Sequence, residues 1–231
     1  MMNRNASETQ KTRRILPMAC ATALAAVFAV SLTQPAHAVT ITVPDVPDNI
    51  RVDDEGNKVF LLGHGVGTQN YICLPAGVDA EGRPRFAFTL FTPEATLFSD
   101  DLKELITHYF SPNLNPNELE TSPNPPFADG PIRVTWQHSR DSSIVWAQVK
   151  NGNASTDDRF VKKGAVAWLK LTAVGSEDGP TGGDTLTKTT FIQRLNTSGG
   201  LAPATGCGSL AEVGTQAFMP YTADYFFYKK Q

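Results

Sequence analysis

Cysteine, histidine and basic residues are scarce in this sequence, and each scarcity excludes a class of function. The chain has three cysteines and four histidines in 231 residues. No C-x-x-C, H-x-H or H-E-x-x-H spacing is present, so we expect no metal and no other cofactor. No G-x-S-x-G sequence indicates a serine hydrolase. Acidic residues outnumber basic ones by 23 to 20, which excludes nucleic acid as an expected partner.

The long apolar run near the N-terminus has the organisation of an export signal. It follows four basic residues, extends over residues 15–32 and ends before Ala36-His37-Ala38, a small-residue cleavage site. We therefore predict a signal peptide over residues 1–38, a secreted or periplasmic protein, and no membrane span after cleavage. The run also approaches the length of a spanning helix, so an uncleaved anchor is the alternative.

Cleavage near Ala38-Val39 would leave residues 39–231 as a single secreted β domain. That part carries 16 basic and 22 acidic residues, a net charge of −6. A chain of this length buries about 70% of its unfolded surface. Two cysteines remain, and in an oxidising compartment we predict a Cys73–Cys207 disulfide. A pair of metal-binding or redox-active thiols is the alternative.

Alternating apolar and polar residues predict an all-β fold, an antiparallel β-sandwich or barrel-like single domain with long irregular loops. Strands are predicted over residues 39–43, 58–62, 69–74, 85–98, 132–138, 143–150, 165–174, 191–196 and 219–228. Residues 102–109 fit either a helix or the return strand of a hairpin. Residues 111–131 contain six prolines and are predicted to form a long loop, either a functional flap or a passive connection.

The most specific local pattern is a β-hairpin over residues 132–150. One register sets Trp136 against Val145 and Val134 against Ala147, so one face is apolar. The other face carries the candidate ligand-binding residues Trp146, Arg133, Gln137 and Gln148. An exposed indole beside amides and a guanidinium is typical of modules that stack on sugar rings, so we predict a glycan or envelope component as partner. Burial of the indole beneath another part of the chain is the alternative.

A glycine-rich stretch, Gly63-His64-Gly65-Val66-Gly67-Thr68, follows a predicted strand and resembles part of a dinucleotide-binding fingerprint. The fingerprint requires glycine in place of Thr68 and a helix after it. Residues 71–75 are instead strand-like and end in proline. We therefore predict an accessible loop over residues 63–69, in which His64 is a candidate ligand-binding residue.

Arg194 and Asp224 form a candidate polar cluster, because each lies in a segment otherwise rich in apolar residues. The plain interpretation of Asp224 is a hydrogen bond to a neighbouring strand or to Arg194, and the functional one is a perturbed carboxylate in a cleft. A small extracellular enzyme would bring His64, Asp224 and Arg194 together, with His64 and Asp224 within hydrogen-bond range. We favour a non-catalytic binding or surface-associated module. A structural or stress-associated surface protein is a third hypothesis.

Several segments together resemble one secreted family of bacteria and fungi. They are G-H-G-V-G-T-Q-N-Y-I-C at 63–73, T-W-Q-H at 135–138, F-I-Q-R-L-N-T-S-G-G at 191–200, G-C at 206–207 and P-Y-T-A-D-Y-F-F-Y at 220–228. The family is domain-of-unknown-function family 3455, and the similarity covers nearly all of the mature chain. The resemblance implies an exported single domain whose Cys73 and Cys207 match the family positions. It implies no catalytic residues, since the family has no established activity.

Overall fold

Eight antiparallel strands close into a barrel in which each strand pairs with its sequence neighbours and the last pairs with the first. The computed structural model describes residues 40–113 and 131–231. The strands are β1 (Asn57–Val78), β2 (Pro84–Phe98), β3 (Glu104–Pro112), β4 (Ile132–His138), β5 (Ile144–Ser155), β6 (Trp168–Glu177), β7 (Thr189–Gly199) and β8 (Gln216–Lys230). The prediction of an all-β, barrel-like single domain is confirmed.

Two predicted segments fall outside the described residues. These are the signal peptide, residues 1–38, and most of the loop predicted over residues 111–131. Within the part of the chain that is described, no helix has the length and apolar character needed to span a membrane. Over residues 40–113 and 131–231, the helices are two single 3-10 turns, Asp48–Ile50 and Leu210–Glu212.

The predicted glycine-rich loop is wrong, because its residues lie inside β1. Gly63, Gly65 and Gly67 recur at every second residue and therefore share the inward face of the strand. A Cβ at Gly65 would lie 2.8 Å from the Tyr225 ring, and one at Gly67 would lie 2.0 Å from the Glu94 carbonyl oxygen. The neighbouring strands thus approach β1 too closely for side chains at these positions.

The predicted hairpin register is confirmed. Trp136 pairs with Val145 and Val134 with Ala147 across β4 and β5. Residues 102–109, which fitted either a helix or a strand, lie mostly in β3, the return strand of a hairpin with β2. These assignments succeed because short turns join the paired strands, so local alternation decides which side chains share a face.

A buried aromatic and aliphatic core fills one end of the barrel, the end at which the β4–β5 turn lies. Trp136, Phe227, Leu97, Ile106 and Ile192 are fully buried there. The Trp136 and Phe227 rings meet edge to face with centroids 6.3 Å apart. This core closes that end of the barrel to solvent.

The segment before β1 covers the outside of β7 and β8. No strand forms over residues 40–47, so the first predicted strand is wrong in its described part. Val46 and Ile50 instead pack in a second cluster with Leu195 and Phe226. This cover explains why the closing segment carries aromatic side chains on both of its faces.

The Cys73–Cys207 disulfide is present, with the two Cα atoms 5.4 Å apart. It ties β1 to the connection between β7 and β8. Backbone hydrogen bonds join the same two segments. The Cys73 N–H donates to the Thr215 carbonyl oxygen at 2.9 Å, and the Gly214 N–H donates to the Cys73 carbonyl oxygen at 2.9 Å.

Candidate functional site

A cavity of about 380 Å³ lies inside the barrel, between the aromatic core and the end crossed by the β7–β8 connection. Its volume falls within the roughly 300–1,000 Å³ that is common for small-molecule sites. Inward positions of neighbouring strands supply a mainly apolar wall that includes Leu90, Phe110, Val134, Val149, Leu169 and Leu171. Barrels of about eight strands either fill this space with side chains or hold one small ligand in it.

The rim of the cavity is apolar and open to solvent. Leu90, Val149 and Leu201 line the cavity and are also 36%, 39% and 47% exposed. Exposed aliphatic side chains that surround a groove are typical of sites that bind apolar molecules. The rim therefore presents an apolar surface to solvent at the edge of the cavity.

Three N–H donors on residues of the cavity wall have no acceptor among the described residues: Nε2 of Gln69, Nε1 of Trp136 and Nε of Arg194. Gln69 is 2% exposed and Trp136 is 0% exposed. A buried donor without a partner costs about 1–3 kcal/mol, so folded proteins contain few of them. Their concentration on one cavity marks a place suited to a hydrogen-bond acceptor.

His108 lies on the same wall and is uncharged. Burial lowers the pKa of its imidazole to about 3. Its Nδ1 lies 2.9 Å from the Thr135 carbonyl oxygen, which can only accept, so Nδ1 carries the proton and Nε2 carries a lone pair. The ring stacks on Trp136 with centroids 4.5 Å apart. His108 thus adds an aromatic surface to the cavity and no positive charge.

Arg194 brings a guanidinium to this wall from the inward face of β7. Its Nη2 donates to the Ala167 carbonyl oxygen at 2.9 Å. Beside it, the hydroxyls of Tyr221 and Tyr225 hydrogen-bond to each other at 3.0 Å. Burial raises the pKa of both tyrosines, so their hydroxyls stay protonated and neutral.

The predicted glycan-binding face is assembled but does not expose its indole. Trp146 shares the outer face of β4 and β5 with Arg133, Gln137 and Gln148, as the register predicts. Its side chain is nevertheless only 3% exposed, and its Nε1–H donates to Ser111 Oγ at 2.9 Å. Stacking on a sugar requires an accessible ring face. The expected sugar-binding platform is therefore absent from this face as described, because the indole is covered and hydrogen-bonded.

His64 lies on the outer face of β1 between two carboxylates. Its Nδ1 is 2.7 Å from Asp224 Oδ1, and its Nε2 is 2.8 Å from Asp100 Oδ1. Hydrogen bonds with Asp100 and then Asp224 raise the pKa of His64. The predicted proximity of His64 and Asp224 is confirmed, and both ring nitrogens are engaged by carboxylates.

The predicted cluster of Arg194 and Asp224 is not formed. Arg194 pairs with Tyr225 across β7 and β8 and lines the interior, whereas the adjacent residue Asp224 points to the outer face. Asp224 accepts instead from the Asn196 side chain at 2.7 Å. The trio needed for the catalytic hypothesis is therefore divided between the two faces of the sheet.

Sequence reasoning missed most of the cavity residues. Gln69 was assigned to the edge of a loop, and His108 to a segment of undecided structure. The G-x-G-x-G alternation was the available signal, because period two places its glycines and then Gln69 on one face of a strand. Over residues 40–113 and 131–231, no group of three His, Cys, Asp or Glu side chains converges in a way that could hold a metal ion.

Comparison with known proteins gives one finding, which concerns the whole barrel. A family model described as a protein of unknown function, DUF3455, matches residues 54–229, a range that extends from the turn before β1 almost to the end of β8. No curated protein and no solved structure matches the chain.

Proposed function

This chain belongs to the DUF3455 family of proteins of unknown function, and we propose that it is a non-catalytic binding protein whose ligand site is the cavity inside the barrel. The ligand is a small, mainly apolar molecule with a hydrogen-bond-accepting group. The observation that carries the proposal is the set of three buried N–H donors, on Gln69, Trp136 and Arg194, that have no acceptor in normal hydrogen-bonding geometry among the described residues and that lie around one apolar cavity.

The chemistry of the cavity favours an apolar envelope component over a glycan. A sugar exposes hydroxyls on every side and would leave most of them unpaired against Leu90, Phe110 and Val134. An aliphatic or aromatic body would bury its surface at a gain of roughly 25 cal/mol per Å². The donors would then bind its one polar end.

A cell-exterior location is part of the proposal. The signal-peptide pattern of residues 1–38 supports export, and the Cys73–Cys207 disulfide is typical of oxidising compartments. In that setting a barrel with an apolar interior would carry or sequester a molecule that is poorly soluble in water.

The catalytic alternative has weaker support. His64 and Asp224 are hydrogen-bonded, but the second nitrogen of His64 is occupied by Asp100. A general base needs a free nitrogen within reach of its substrate. The guanidinium of Arg194, which would stabilise a developing negative charge, lies on the other face of the sheet.

A blocked-cavity variant tests the proposal. Val149→Trp places an indole at the rim, and Val78→Trp is its matched control, because Val78 is an exposed strand valine outside the cavity wall. Binding of the uncharged dye Nile red is followed by its fluorescence. We expect wild type and Val78→Trp to bind, and Val149→Trp to bind at least about tenfold more weakly.

Unfolding midpoints of the three proteins serve as the folding control. If folded Val149→Trp bound the dye as tightly as wild type, the cavity would not be the binding site. Failure of folded wild type to bind would likewise contradict the proposal.

A further inference from the structure

Among the residues that the structure describes, no carboxylate pairs with the guanidinium of Arg194, because none of their ion pairs includes it. Arg194 hydrogen-bonds to neutral groups, the Ala167 carbonyl oxygen and the Tyr225 hydroxyl, and its buried Nε has no acceptor in the same part of the chain. A guanidinium beside apolar side chains is costly unless an anion neutralises it.

The groups nearest to Arg194 are neutral. The pKa of Tyr225 is raised by burial, which the positive charge of Arg194 and its hydrogen bond oppose without reversing. Burial and then Tyr225 raise the pKa of Tyr221 in the same way. His108 is neutral because burial lowers its pKa, an effect that Arg194 adds to. The guanidinium therefore faces a cavity wall whose described residues include no carboxylate.

Trp136 and Gln69 lie around the same tyrosines. The Trp136 ring lies 6.0 Å from that of Tyr225, and the Gln69 side chain hydrogen-bonds to Tyr221, which opposes the rise of its pKa. One positive charge and two neutral N–H donors thus surround the Tyr221–Tyr225 pair. This combination suits a singly charged oxyanion, whose two oxygens accept several hydrogen bonds at once.

We propose that the ligand of the barrel cavity is an organic carboxylate with an apolar body, and that Arg194 binds its carboxylate while Gln69 and Trp136 donate additional hydrogen bonds. This inference rests on the proposed binding function. The single guanidinium matches one negative charge, and the aliphatic wall and rim match a hydrocarbon chain or ring. A phosphate dianion or a polyanion would bring more charge than the cavity neutralises.

A purely structural role for Arg194 is the competing explanation. Its hydrogen bond to the Ala167 carbonyl oxygen joins β7 to the segment before β6. Such a contact needs one N–H donor and does not require a charged guanidinium. The two roles predict different effects of Arg194 substitutions on the binding of a charged ligand and of its uncharged analogue, because a structural arginine would affect both alike.

The test compares octanoate with octanamide, which have the same alkyl chain and nearly the same shape, whereas the amide is uncharged and has an NH2 donor in place of one acceptor oxygen. Calorimetry at neutral pH should show wild type binding octanoate at least about tenfold more tightly, since hydrogen bonds to charged groups are stronger. Arg194→Met should remove this preference by weakening the binding of octanoate alone. Arg194→Lys keeps the positive charge and should retain part of the preference for octanoate.

Arg85→Met is the matched control, because Arg85 is an exposed strand arginine outside the cavity wall and its loss changes net charge equally. It should retain the full preference. Equal binding of both ligands by wild type, with both lost in Val149→Trp, would overturn the carboxylate inference and leave the binding function standing. Absence of octanoate binding also overturns the inference, and the Nile red result then decides separately whether the binding function survives.

Discussion

Removal of the Cys73–Cys207 disulfide should destabilise the protein mainly through the unfolded state. The bond closes a loop with a sequence separation of 134 residues. In the chain-entropy model, a loop of that length corresponds to about 5 kcal/mol of stabilisation. Backbone hydrogen bonds hold Cys73 against Gly214 and Thr215 independently of the sulfur atoms. We therefore expect the folded barrel to form without the disulfide, with a much smaller free energy of unfolding.

Urea-induced unfolding of oxidised wild type, reduced wild type and the Cys73→Ala/Cys207→Ala variant measures this effect. Trp136, Trp146 and Trp168 are all buried, so tryptophan fluorescence reports the transition. Both disulfide-free proteins should lose about 5 kcal/mol and show a larger m-value, because the unlinked chain exposes more surface when it unfolds.

Agreement between the reduced wild type and the variant separates the cross-link from any packing defect left by the alanines. A loss below about 1 kcal/mol, with an unchanged m-value, would refute the argument. It would mean that the unfolded chain keeps the two segments together without the bond, or that the bond strains the folded state.

Other perturbations give distinct expectations. Gly67→Ala should destabilise the barrel by at least about 1–3 kcal/mol, because its Cβ would meet backbone, whereas Gly208→Ala should stay within about 0.5 kcal/mol of wild type in the same urea titration. The pKa of His64 is raised in the folded protein, so its ion pairs should contribute to the free energy of unfolding. This contribution should be fully present below the ordinary pKa of 6.5 and should be lost as pH rises through the pKa of the folded protein. The His64 side chain is 41% exposed, so the contribution should stay below about 1 kcal/mol, and unfolding of wild type and His64→Gln on either side of neutrality measures it. Trp146→Phe removes the hydrogen bond to Ser111 and should cost about 0.5–1.5 kcal/mol while Nile red binding, measured in parallel, is unchanged.

Local patterns were sufficient for most of the strands and for one hairpin, but not for the segment before β1 or for the glycines of β1. The β4–β5 pairing was predictable because two alternating segments share a short turn, so only one register makes Trp136 and Val145 share an apolar face. The pairing of β8 with β1 joins the two edges of the sheet and closes the barrel. It depends on contacts between residues far apart in the chain, and alternation within one strand carries no information about them.

The cavity was not predictable because its wall is shared among strands that contribute one or two side chains each. Gln69, His108 and Arg194 come from β1, β3 and β7, and none of these segments is unusual when taken alone. The alternate glycines of β1 are a usable signal, but glycines on both sides of His64 also fit a flexible, accessible loop. Their period of two residues is equally typical of a strand with one crowded face.

The register between β7 and β8 decides which face of the closed sheet Arg194 occupies. The sequence singled out both Arg194 and Asp224 as polar residues in apolar strands, and a bond between them was the simplest expectation. In the observed register Arg194 pairs with Tyr225 and Leu195 with Asp224, so the arginine faces the interior and the aspartate faces solvent. A shift of one residue would exchange these faces. The register therefore gives Asp224 hydrogen bonds with His64 and Asn196 outside the barrel, and leaves the charge of Arg194 inside, where a bound anion would neutralise it.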